Sequence, residues 1–375
     1  MGPAPRAFVP SCLHPGLLRR AGRRASAAHD AVSAPDRAIP AGETDRAIAS
    51  WLFVCCAMIF AMLVLGGVTR LTGSGLSTVM WRPLTGWLPP LDAAHWEALF
   101  ARYRETAEFR RVDVAMTVED FRSIFWAEYL HRVWGRLIGL AFVVPGAWFA
   151  LRGRIGARLG TGLVIAVLLG AAQGVVGWHM APGGLAERAD VSHYRLGVHL
   201  ALGLAVYGYL LWLALGLAWA RAARGAHDLH LGVVIAGIKL TVLWGAFVAA
   251  LDAGHVHATF PLMDGRLVPR EVLSTAPWTA DLTGNPATVQ FIHRWLAIVV
   301  LAVILALWWR VRRAPRGERL AFDLLAAMAT VQAGLGVLTV VLGVPPVVAA
   351  LHHTGAVIVL SLAIYALHAS RRARV

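Results

Sequence analysis

The sequence predicts an all-α integral membrane protein, with eight transmembrane helices forming two pseudo-twofold-related four-helix bundles. Three observations predict it. Of 375 residues, 58% are hydrophobic and only 15% charged, and the mean hydropathy is +0.62; a soluble domain of this size carries more charge. Apolar runs occur near 50–69, 121–150, 159–180, 195–219, 231–251, 288–309, 320–343 and 347–369, each close to the ~20 residues that cross a bilayer. The last four runs also echo the first four. His131-Arg132 in the second matches His293-Arg294 in the sixth, Gln173 to Gly177 in the third matches Gln332 to Gly336 in the seventh, and His199 in the fourth corresponds to His352 in the eighth. Four helices per half is an even number, so both halves share one orientation, related by an axis along the membrane normal.

Taken in order, residues 1–47 are Ala-, Arg- and Pro-rich, with Arg19-Arg20 and Arg23-Arg24 and no apolar core of a secretory signal. The Arg-rich, acid-poor start is compatible with a mitochondrial transit peptide, but a disordered cytoplasmic tail explains it equally and is preferred. Residues 48–225 then form the N-terminal bundle and 226–375 the C-terminal one. Eight spans place both termini on one side. Arg152/Arg154/Arg158, Arg221/Arg224, Arg310 to Arg319 and Arg371 to Arg374 mark that side as cytoplasmic. The connections 70–120, 181–194, 252–287 and Gly343–Pro346 then face outward. The net charge of +14 follows from this orientation signal, so a nucleic-acid partner is not expected; the expected partner is the lipid bilayer. Within 70–120 an amphipathic stretch runs from His95 to Arg104, and Thr117-Val-Glu-Asp120 is a capping box opening the second long helix. Leu262 to Leu267 has the turn chemistry of a small hairpin.

The second, fourth, sixth and eighth helices all run inward and carry His131, His199, His293 and His352 within about two turns of their outer ends. That makes two imidazoles per bundle at matching depth. Helices of one bundle lie about 8–10 Å apart, so facing histidines can hold one metal-centred macrocycle between them. Three cysteines with no CxxC or CxxCH spacing point to b-type rather than c-type haem, or to another His-bound metal. Arg70, Arg132, Arg294 and Arg195 stand where propionates would reach the outer interface. His353 competes with His352 and differs from it by about 100° of rotation; the repeat favours His352. His95, His179, His193, His227, His230, His255 and His257 fall in loops or at span ends and are expected to be solvated, though His255 and His257 are candidates for closing a site from outside.

The halves differ at one position. Glu128 lies about 4.5 Å along the helix from His131, on the same face, whereas Gln290 replaces it beside His293. A carboxylate can exchange a proton and an amide cannot, so the N-terminal site reads as reactive and the C-terminal one as a stable cofactor site. The plain alternative is a helical salt bridge from Glu128 to Arg132 or Arg136.

Glu128-Tyr-x-His131-Arg-x-x-Gly135-Arg136, with Leu65-Gly-Gly-Val-Thr69-Arg70-Leu-Thr-x-Ser-Gly75-Leu-Ser77, Phe260-Pro-Leu-Met263 and Leu351-His352, resembles the haem A synthase family from about residue 48 to 370. The resemblance implies an eight-helix inner-membrane oxidoreductase that converts the C8 methyl of haem O to the formyl of haem A during cytochrome oxidase assembly. It implies a resident haem b ligated through its iron by His293 and His352, His131 and His199 facing the haem O substrate, and an essential Glu128. Some bacterial members carry an outer-loop cysteine pair; this chain resembles the group without it. The chemistry runs either through oxygen activation or through electron removal and water addition, and the motifs name no electron donor. Haem O synthase and a second copy of the chain are candidate partners. From other classes, a two-haem b-type electron-transfer protein (a quinol-linked cytochrome subunit) is the chief alternative and a haem transporter the third.

Overall fold

The computed structural model describes residues 1–2, 43–76, 87–106, 109–110, 115–180, 192–219, 225 and 227–371. The chain divides into two units, Met1–Pro40 and Ala41–Val375, and every element below lies in the second. Residues 3–42 of the expected N-terminal tail and Ser77 of the Leu65–Ser77 motif fall outside the described residues, while residues 43–47, expected to be tail, are the first helical residues of the first span.

Ten helices occur among the described residues: α1 Glu43–Leu71, α2 Ala93–Arg104, α3 Val118–Leu151, α4 Ala157–Met180, α5 His193–Ala218, α6 Asp228–Ala250, α7 Trp278–Gly284, α8 Pro286–Val311, α9 Arg316–Val341 and α10 Pro346–Ala369. Eight of them, all but α2 and α7, are long and apolar enough to cross a membrane. They coincide with the eight apolar runs, so this is a multi-pass, all-helical membrane protein.

Local chemistry sets the helix ends. Thr117 caps α3: its hydroxyl accepts from the Asp120 amide, and the Asp120 carboxylate accepts from the Thr117 amide, which satisfies donors that a helix start otherwise leaves unpaired. Asn285 accepts from the amides of Ala287 and Thr288 ahead of Pro286 at the first turn of α8. Between α9 and α10, Gly343 and Val344 take left-handed φ of 74° and 59°; this tight reversal is the expected short turn. The expected amphipathic stretch is α2, which lays Trp96, Phe100 and Tyr103 against Phe121 and Phe125 at the outer end of α3. The expected hairpin is present as an antiparallel bridge between Met263 and Arg266.

Packing centres on α1, α5, α6 and α10. α1 packs on α3 and α5, and α4 on α5; α6 packs on α8 and α10, and α9 on α10. Across the middle, α5 meets α6, α10 meets α1, and α5 meets α10. Exchanging the two halves maps each of these pairs onto another, and α5–α10 onto itself. One pair breaks the rule: α8 packs on α9, but among the described residues no comparable packing joins their counterparts α3 and α4. The C-terminal four helices close into a ring and the N-terminal four stay open along one seam.

Candidate functional site

Each of the four repeated histidines lies against a glycine of the preceding span. A Cβ placed on Gly66 of α1 would stand 3.2 Å from Cε1 of His131. The same atom on Gly177 of α4 would stand 3.0 Å from His199, on Gly245 of α6 3.0 Å from His293, and on Gly336 of α9 2.8 Å from His352. Contacts this short leave no room for a side chain, so glycine is what lets each ring settle against its neighbouring backbone. The internal echo had singled out Gly177 and Gly336. Gly66 and Gly245 escaped it because the signal is a helix–helix contact rather than a local spacing.

In the C-terminal half the rings of His293 and His352 stand 6.3 Å apart between centroids, at 85°. With imidazole–metal bonds of about 2.0–2.1 Å, two rings on opposite sides of one metal have centroids roughly 6–6.5 Å apart. The pair therefore fits a bis-imidazole iron. Nδ1 of His293 lies 2.9 Å from the Thr241 carbonyl; donation there fixes the tautomer and leaves Nε2 as the nitrogen available to a metal. Nδ1 of His352 lies 3.1 Å from the Gln332 amide nitrogen. His353 is engaged elsewhere: its Nε2 is 2.9 Å from the Leu63 carbonyl, and its ring covers Gly67, tying α10 to α1. Among the described residues no group of three or more His, Cys, Asp or Glu converges as for a bare metal ion; the paired imidazoles are the ligand set the fold offers.

The N-terminal pair is held more loosely. Nε2 of His199 is 3.3 Å from the Gln173 amide, and Nδ1 of both His131 and His199 is buried without a hydrogen-bond partner. His131 lies within electrostatic reach of His199. One turn before His131, Glu128 is 4% exposed and accepts from Arg132, whose Nε is 2.9 Å away. The ion pair weighed as the plain alternative thus exists, and it is buried.

The matching position in the C-terminal half does different work. Gln290 is 1% exposed and donates to the carbonyls of His257, at 3.0 Å, and Gly254. Arg294 donates to the carbonyls of Thr259, at 2.7 Å, and His257, at 2.5 Å. Both residues fasten the connection 252–268 over the N-terminal end of α8. His257 was expected to be solvated; it is buried, because its Nδ1 pairs with Asp264 at 2.7 Å. That hydrogen bond and the nearby Thr259 hydroxyl hold the Asp264 carboxyl below the usual aspartate range. Arg70 donates to the Ala249 carbonyl at 2.8 Å, beside Asp252, and so covers the outer end of α6.

Positions that the C-terminal half buries are open in the N-terminal half. Ala326 is 6% exposed and its counterpart Val167 46%. Ala329 is buried and its counterpart Gly170 exposed. Leu301 packs against the core, whereas Gly139 at the same register has nothing within 4 Å of a Cβ. Pro145 interrupts α3 where α8 has the buried Leu307; an interior proline removes a helical hydrogen bond and bends the rod.

Fold and site define a polytopic helical membrane protein with His293 and His352 facing each other among its spans and a buried acid, Glu128, one turn from His131. Residues 49–364 match the family described as Cytochrome oxidase assembly protein. Among curated relatives, the chain is 43% identical over 332 residues to a Heme A synthase of Rhodospirillum centenum, spanning 87% of this chain and 89% of that one. It is 42% identical over 336 residues to a Heme A synthase of Nitrosospira multiformis, spanning 87% and 94%. A Heme A synthase of Paramagnetospirillum magneticum is 43% identical over 332 residues, spanning 86% and 93%. The chain belongs to this cytochrome oxidase assembly family, together with these haem A synthases.

Proposed function

We propose that the protein is a haem A synthase, an oxidoreductase that converts the C8 methyl of haem O to the formyl of haem A. The observation that carries this reading is the buried Glu128 beside His131, in the one half whose helices do not close. A flat amphiphilic substrate with a long farnesyl tail reaches that half sideways from the lipid, through the seam between α3 and α4. His131 and His199 face the substrate iron from opposite sides, and their loose anchoring suits a molecule that must arrive and leave. Glu128, held in place by Arg132, takes up a proton released as the methyl carbon is oxidised. Two successive two-electron hydroxylations of the methyl, drawing oxygen either from dioxygen with added electrons or from water as electrons are removed, give a geminal diol, which loses water to the aldehyde.

His293 and His352 hold haem b in the C-terminal half; when bound, it supplies one-electron transfer toward the substrate site. The closed ring, the Thr241 anchor and the fastened outer connection suit a group that stays. Arg70, Arg132 and Arg294 lie at the outer ends, where a propionate would join the oxygen acceptors they already bind. The halves act as pseudo-twofold partners, with residues 48–225 as the substrate bundle and 226–375 as the cofactor bundle. Both termini face the cytoplasm, in the inner membrane.

The test is the pigment extracted from wild-type and Glu128→Gln protein side by side. Wild-type protein is expected to yield haem B with haem O or haem A, and the variant haem B with haem O but no haem A. Two haem B per chain in the wild type would instead favour the electron-transfer protein, and normal haem A from the variant would remove Glu128 from the mechanism.

A further inference from the structure

The chain contains a single lysine, Lys239, and it stands in the middle of a membrane span. It is eleven residues from each end of α6, about 16 Å at the ~1.5 Å rise per residue of a helix. A hydrocarbon core is roughly 30 Å thick, so Lys239 lies near its midplane, deeper than its side chain extends toward either surface. It is exposed on the outside of the molecule, and no carboxylate of the chain is paired with it among the described residues. The cation therefore faces lipid unless something covers it, and polar groups so placed mark functional contacts.

A second feature of the same face is independent of the charge. Gly232, Ala236 and Lys239 follow at i, i+4 and i+7 along one stripe, flanked by Leu229, Val233 and Leu240, all exposed. Nothing lies within 4 Å of a Cβ on Gly232. Small residues four apart on a lipid-facing helix let a second helix approach closely enough for polar groups to meet across the contact. The repeat sharpens the point, because α1 carries Phe53, Ala57 and Phe60 at the corresponding positions and so neither the glycine nor the charge.

We infer that this face of α6 is a docking surface for a transmembrane helix of another protein that presents a carboxylate at the bilayer midplane. A second copy of this chain does not supply one. The spans hold few acids: Glu128 is buried with Arg132, Asp228 is paired with Arg371, and Asp323 accepts from Trp308 within two turns of the start of α9. The inference is independent of the reaction proposed above, since neither Lys239 nor Gly232 touches the histidine sites.

The test uses the pigmented protein in bilayer nanodiscs and a fluorescent Leu/Ala transmembrane peptide with one central Glu, alongside its Gln twin. Energy transfer is expected to saturate with the Glu peptide and to weaken about tenfold or more with the Gln peptide, with Lys239→Met and with Gly232→Leu. Unchanged pigment in both variants reports that they fold. Equal binding of the two peptides, or binding that survives Lys239→Met, would overturn the proposal, as would Lys239-dependent dimers of the chain alone. Labelling by a membrane-permeant amine reagent gives a second reading, because only one side-chain amine exists. Lys239 should be protected in native membranes and reactive in the nanodisc; equal reactivity in both refutes a covering helix.

Discussion

A glycine beneath each imidazole is the smallest device in this molecule. At Gly336 an added methyl would stand 2.8 Å from the His352 ring, so the ring must move out of line with His293. Overpacking of this kind costs about 1–3 kcal/mol, and here it also misdirects a ligand. Gly336→Ala is expected to reduce the haem retained per chain, read from the absorbance of purified protein, while Gly139→Ala, with open space around it, retains the wild-type content. Equal retention in both variants would show that the glycine seat does not matter. His293→Ala should abolish the low-spin signal of the C-terminal site, and a spectrum unchanged by it would dismiss the ligand assignment. Of these residues, the four histidines were legible in the sequence, because a repeat exposes side chains that recur at one register. Gly66 and Gly245 were not, since a glycine seat is defined by what the neighbouring helix puts over it. His257 was misjudged for a similar reason: its burial comes from Asp264 across a turn, and loop position alone suggested solvent.

Elements are steadied by short-range chemistry at their ends. Thr117→Ala removes the side-chain acceptor of the α3 cap and should cost about 1 kcal/mol of local stability, seen as faster hydrogen exchange in the first turn of α3 and little change further in. The outer connection over α8 has a pH-sensitive member. Asp264 titrates below its ordinary value of 3.8, so the folded loop binds the proton less well than the unfolded one. Its contribution is complete above about pH 4 and fades as the pH falls through the depressed value. Amides of Met263 and Asp264 should be protected from exchange at pH 6 and lose protection as the pH is lowered through the depressed value, below 3.8. Asp264→Asn should lack the extra protection at both; identical exchange in the variant and wild type at pH 6 would contradict this. The eight spans, the Thr117 cap and the small hairpin were all readable in advance, since hydrophobic length, capping pattern and turn residues are local signals.

At the scale of the whole molecule, one packing difference separates two otherwise matching halves. The α8–α9 contact closes the C-terminal ring; among the described residues α3 and α4 have no comparable packing, and Val167, Gly170 and Gly139 are exposed. No local pattern reveals this, because openness is the lack of a long-range contact; only Pro145 and Gly139, standing where the other half has Leu307 and Leu301, hint at it afterwards. If the seam admits substrate from the bilayer, giving it the C-terminal half's side chains should close it. The double variant Gly139→Leu, Gly170→Ala supplies the missing bulk on α3 and the matching alanine on α4. In proteoliposomes its haem O loading should slow by about tenfold, equivalent to roughly 1.4 kcal/mol of added barrier. The haem b spectrum should stay as in the wild type, because that ring is already closed and makes no use of the seam. Loading at the wild-type rate, with the two helices shown by cross-linking to be in contact, would mean that the substrate reaches His131 and His199 by another path. Slowed loading with an intact haem b signal would make the unpaired helices the reason that one half of a repeated fold exchanges its macrocycle while the other keeps its own.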